Sequence, residues 1–122
     1  MPQPQLTVHR HDRRTRALIT PVGEIDLESA PLLQASLEQC LRNGIRAIDI
    51  DLAHVTFCDC SGLNAFLLAA QQTTAVGGTL RLHHPQPTLA RMLDITGTSE
   101  TLMAVPPRGS VRLVPVLSGD AR

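Results

Sequence analysis

The sequence predicts a single α/β domain, a mixed β-sheet of four to five strands with helices packed mainly on one face. Two observations predict it. Apolar residues switch along the chain between a period of two and a helical period, so that strands alternate with helices after an opening hairpin. The chain has 122 residues, of which 43% are hydrophobic, enough to bury one core without a metal or disulfide staple.

Each element follows in order. Leu6-Thr7-Val8 and Arg16 to Val22 read as two strands joined by a charged turn from His11 to Thr15. The basic run from His9 to Arg14 falls at this tip; it is expected to be solvated, and no function is assigned to it. Gly23-Glu24-Ile25-Asp26 then leaves the second strand. Ser29 supplies an N-cap and Pro31 a first-turn proline for a helix over 29–43. Leu33, Leu37, Cys40 and Leu41 recur in it at helical spacing, and Asn43-Gly44 ends it.

Ile48, Ile50 and Leu52 alternate with Asp49 and Asp51, the pattern of a strand with one buried face. After a turn at Ala53-His54, Val55-Thr56-Phe57 reads as a buried strand leading into Asp59-Cys60-Ser61-Gly62. Leu63, Phe66, Leu67 and Ala70 mark a second helix, stopped by Gly77-Gly78. Thr79 to His83 predicts another strand. Pro85 and Pro87 open a short third helix with Leu89, Met92 and Leu93 on one side, closed by Gly97. Leu102 to Val105 predicts a last strand. The chain thus divides into a flexible N-terminus (1–4), the domain (5–105) and a tail (106–122) that fits an edge strand, a short helix or a docking segment equally well.

Composition narrows the function. Eleven basic and eleven acidic side chains give a formal net charge of zero, which implies no bulk attraction to nucleic acid or anionic lipid. Phe57 and Phe66 are the only aromatic residues, too few for a platform that stacks single-stranded bases, so no nucleic-acid partner is expected. No secretory leader or long apolar run is evident, which predicts a cytoplasmic protein without membrane contact. Three cysteines, Cys40, Cys58 and Cys60, are an odd count that suits reduced thiols better than a disulfide framework.

The informative stretch runs from Val55 to Leu63, where a strand ends and polar groups gather at a helix start. The N–H groups there lack internal partners and carry partial positive charge, so a carboxylate, hydroxyl or phosphate is stabilised. Taken alone, Asp59 is explained as an N-cap. Four motifs in order change the reading: Gly23-Glu24-Ile25-Asp26, then Phe57-x-Asp59-x-Ser61-Gly62-Leu63, then Gly77-Gly78 before a strand, then Leu93-Asp94-Ile95-Thr96-Gly97. Together they resemble the STAS domains of anti-sigma factor antagonists, over roughly residues 5–105.

The resemblance implies a non-enzymatic switch with no cofactor. Its implied partner is an anti-sigma factor carrying a histidine-kinase-like ATPase domain, which the antagonist captures so that a sigma factor is released. It places Glu24, Asp26, Phe57, Asp59, Gly62, Leu63 and Asn64 at the partner surface. The family's phosphorylated serine directly follows the aspartate, and Cys60 stands there instead, with Ser61 as the neighbouring hydroxyl. The switch position is therefore Cys60, or Ser61 in its place.

Rival readings use the same residues. Thiol catalysis by Cys60 gains from the helix N-terminus and loses from adjacent Asp59, and Phe66 stands where a phosphatase-like loop needs arginine. A redox-controlled binding module would oxidise an exposed Cys60. Cys58 and Cys60 with His83 and His84 lack recognised zinc spacing, so no metal site is expected. A scaffold that assembles with other STAS proteins fits the same fold.

Overall fold

The computed structural model describes residues 5–98 together with Leu102 and Met103. The chain opens with a hairpin of β1 (Leu6–Arg13) and β2 (Arg16–Ile25), paired without a break as far as Arg13 opposite Arg16. Only Arg14 and Thr15 remain as the turn, with Arg14 at φ 59°. The five-residue turn expected from His11 to Thr15 is thus corrected to two residues. A two-residue loop with positive φ matches the twist of the strands it joins, and continued pairing satisfies backbone groups that a longer turn would leave to water. Most of the basic run accordingly lies along β1, exposed, with Arg14 alone at the tip.

β2 is the central strand. Along its first half β3 (Ala47–Asp51) pairs in parallel, from Arg16 opposite Ala47 to Ile19 opposite Ile50. Along its last residues β4 (Val55–Cys58) pairs in parallel on Gly23 to Ile25. β5 (Thr79–His83) lies parallel to β3, giving the order β1-β2-β3-β5, with β4 following β3 along β2. The helices α1 (Ala30–Arg42), α2 (Cys60–Ala75) and α3 (Pro87–Thr96) connect these strands.

Strand alternation sets the layers. Ala17, Ile19, Ile25, Ile48, Ile50, Leu80 and Leu82 are buried, and their neighbours Leu18, Val22 and Arg81 point to the open face. α1 contributes Leu33, Leu37 and Cys40 to the core and lies against α2, which contributes Phe66 and Ala69. Fully burying a side chain such as Phe66 or Leu37 is worth about 1.5–3 kcal/mol, so the helical layer is held chiefly by this apolar sheet face. Cys40 is core, as its helical spacing implies.

Three boundaries differ from the sequence reading. Ser29 precedes α1 but its side chain does not cap it: the buried hydroxyl donates to the Glu24 carbonyl and accepts from the Asp26 N–H. Asp26 does the local turn work instead, its Oδ1 accepting from the N–H groups of Glu28 and Ser29. α3 begins at Pro87, since a proline suits the first turn, where its missing N–H goes unneeded, and Pro85 stays outside. Of the strand expected over Leu102–Val105, Met103 makes one parallel bridge to Leu82, Leu102 is helical, and Ala104 and Val105 lie outside the described residues. The tail at 106–122 and residues 1–4 lie outside them too.

Candidate docking site at the head of helix α2

Three elements meet at one end of the sheet: the end of β2, the end of β4 and the start of α2. Asp59 directly follows β4 in an extended conformation and caps α2, its Oδ1 accepting from the Ser61 N–H at 2.8 Å and the Gly62 N–H at 3.4 Å. Its own N–H donates to the Ile25 carbonyl at 3.2 Å, so the cap is tied to the central strand.

A bulge prepares this end. The β2–β4 register slips so that Gly23 opposes Val55 while Glu24 opposes Phe57, which leaves Thr56 as the extra residue. Thr56 and Phe57 are consequently both exposed, Phe57 by 49%, and the expectation of a buried 55–57 strand is corrected to a strand buried only at Val55 and Cys58. Thr56 Oγ1 donates to the Gly23 carbonyl at 3.3 Å, holding the bulge. Gly23 has φ 122°, and a Cβ there would stand 2.2 Å from the Gln5 carbonyl oxygen, so glycine is required on both grounds.

Gly62 is a glycine for packing. A Cβ on it would meet Cys58 Sγ at 2.4 Å and Ile25 Cγ2 at 2.7 Å. Gly62 and Leu63 are both buried, so the expectation that they face outward is corrected: their place is the seam between α2 and the sheet. Cys60 and Asn64 are exposed and Ser61 is half-buried, as the helix period dictates once Leu63 and Phe66 point inward. Glu24 is exposed, and Phe57 stands opposite it.

Asp26 is more constrained than the sequence implied. The Gln5 side-chain amide donates to its Oδ2, and this bond, with the Ser29 and Glu28 N–H groups, holds the carboxyl below its usual value. Sequence reasoning missed Gln5, because a partner 21 residues away leaves no local pattern. It also missed Leu27, 77% exposed between Asp26 and Glu28, although an apolar residue out of helical phase in an acidic stretch was a usable signal.

The thiols separate cleanly. Burial, then the nearby Asp59 and Cys60, push the Cys58 thiol up to about 12, so it stays protonated and inert. Cys60 is exposed at the first position of α2. His83 Nε2 instead lies 2.8 Å from Asp49 Oδ1 and His84 Nδ1 3.3 Å from Asp51 Oδ1. No group of three or more His, Cys, Asp or Glu side chains gathers at ligating distance among the described residues. Beside the site, a groove of about 420 Å³ runs between β4 and the start of α3, lined by Val55, Phe57, Cys58, Pro87 and Leu89. Among the described residues no helix is long and apolar enough to cross a membrane.

Comparison with known proteins places this arrangement. The chain is 34% identical over 80 residues to an anti-sigma-B factor antagonist of Bacillus subtilis, covering 66% of this chain and 72% of that protein. The structure of an anti-sigma factor antagonist from Mycobacterium paratuberculosis matches with a TM-score of 0.75 at 22% identity, over 90% of this chain and 94% of the other. The anti-sigma factor antagonist SpoIIAA in its unphosphorylated form matches with a TM-score of 0.72 at 20% identity, over 86% and 93%. The likeness to these two structures establishes the mixed sheet with its helices. The STAS domain model matches residues 4–111, and the chain accordingly belongs to the STAS domain family.

Proposed function

We propose that this protein is an anti-sigma factor antagonist that captures an anti-sigma factor with a histidine-kinase-like ATPase domain and so releases a sigma factor. Its docking surface is the rim of the α2 head: exposed Glu24, Phe57, Cys60 and Asn64 with half-buried Asp26, Asp59 and Ser61. Gly62 and Leu63 support that rim from below. The similarity to the Bacillus subtilis antagonist supports the role. The observation that carries the specific reading is Cys60, exposed on the first residue of α2 directly after the capping Asp59.

A thiol at that place removes the usual hydroxyl acceptor, which makes the protein permanently competent to dock unless Ser61 is used. Phosphate on Ser61 would add about 1.5–2 negative charges beside Asp59 and compete with it for the α2 N–H groups. Affinity capture of the protein from its native cells, with mass spectrometry of partners and of residues 60 and 61, tests both points. Co-purification of an ATPase-domain anti-sigma factor with both residues unmodified is the expected result. Stoichiometric phosphate on Ser61 that abolishes capture would sink permanent competence, and recovery of STAS proteins alone would replace the antagonist with a scaffold.

A further inference from the structure

Apart from Glu38 on α1, Arg81 on β5, and Arg91 and Asp94 on α3, the charged side chains without an ion pair among the described residues of this neutral chain gather at opposite ends of the sheet, four arginines at one and four carboxylates at the other. At the hairpin end, Asp12 is taken up by Arg10 at 2.7 Å and Asp49 by Arg16 at 2.9 Å. Among the described residues this leaves Arg13, Arg14, Arg42 and Arg46 with no carboxylate at salt-bridge distance. They share one end of the molecule, because the N–H groups of Arg46 and Ala47 donate to the Thr15 carbonyl. Arg42 sits in the last turn of α1, whose cap residue Asn43 accepts from Arg10 at 3.0 Å. All four are exposed.

At the other end the carboxylates of Glu24, Asp26, Glu28 and Asp59 likewise have no cationic partner among the described residues. β2 runs from one group to the other, ten residues long, which separates the poles by about 30 Å. Two properties of such a particle favour association. A formal net charge of zero removes the repulsion that keeps copies apart, and the field of each pole extends over a Debye length.

From this sorting we propose that the protein self-associates end to end, the arginine pole of one copy docking on the acidic pole of the next. Planar guanidinium groups pair with carboxylates through two parallel N–H bonds, which suits an all-arginine pole. The contact is heterologous, so it leaves a free pole at each end and grows beyond a dimer. It also covers the α2 head. That consequence for partner capture rests on the docking reading above; the self-association itself does not.

Sedimentation velocity of the full-length chain alone is the test. In ~10 mM salt, where the Debye length is about 30 Å, the weight-average mass is expected to climb with concentration past that of a dimer. In ~1 M salt, where it is about 3 Å, the chain is expected to run as a monomer. Arg13→Gln/Arg14→Asn/Arg42→Gln and Glu24→Gln/Glu28→Gln, each verified as folded by circular dichroism, should each be monomeric alone and form a one-to-one dimer when mixed. A monomer at every concentration in low salt, growth that stops at a dimer in the unmutated chain, or variants that do not complement one another would overturn the proposal.

Discussion

Cys60 and Gly62 sit two residues apart and answer to different demands. Cys60 is exposed and replaceable, so Cys60→Ser should leave the fold intact and supply a hydroxyl acceptor next to Asp59. If the proposed partner is an anti-sigma factor kinase, the variant incubated with it and ATP is expected to gain a phosphate and lose capture, while the unmutated chain keeps it; phosphate-affinity electrophoresis reads the difference. Gly62 has no such freedom. Gly62→Ala would press its methyl into Cys58 and Ile25 and should cost about 1–3 kcal/mol in urea denaturation. Removing one of the two obstructions with Cys58→Ala should make the double variant less damaged than the sum of the singles.

Elements show what a sequence can and cannot announce. The cap of α2 was legible because Asp59 acts on N–H groups two and three residues away, inside any local window. Asp59→Ala should therefore destabilise the protein by about 1 kcal/mol, with Asp59→Asn losing much less, checked by thermal or urea unfolding. The layers were legible through alternation, as in Ile48 and Ile50 against Asp49 and Asp51. The bulge at Thr56 was not, because it arises from how β4 meets β2 and the residues themselves look like ordinary strand. The Ser29 hydroxyl likewise had two uses that local sequence does not distinguish, and tertiary contact with the Glu24 carbonyl decided between them.

Across the whole molecule, hydrogen bonds to carboxylates make stability depend on acid. Asp26, through Gln5 and the Ser29 and Glu28 N–H groups, and Asp51, through the Ala53 N–H and then His84, both hold a proton less readily when folded than the usual value of 3.8. The unfolded chain then binds protons first as pH falls. Their contribution is complete above that value and is lost as pH drops through the lower folded values. Gln5→Ala should remove the largest cause at Asp26 and flatten the fall of the urea midpoint below about pH 4.

Because β3 and β4 stand one after the other along the same edge of β2, the two halves of that edge are expected to open at different rates. β4 is held by three paired positions that a bulge interrupts, whereas β3 is flanked by β2 and β5. Amide hydrogens from Thr56 to Cys58 should thus exchange well before those of Ile48 and Ile50, with the α2 head opening as a separate cooperative unit. A partner gripping that head would pull along the line of the strands. The first bonds to yield would be those of β4, leaving the β1-β2-β3-β5 frame unstrained.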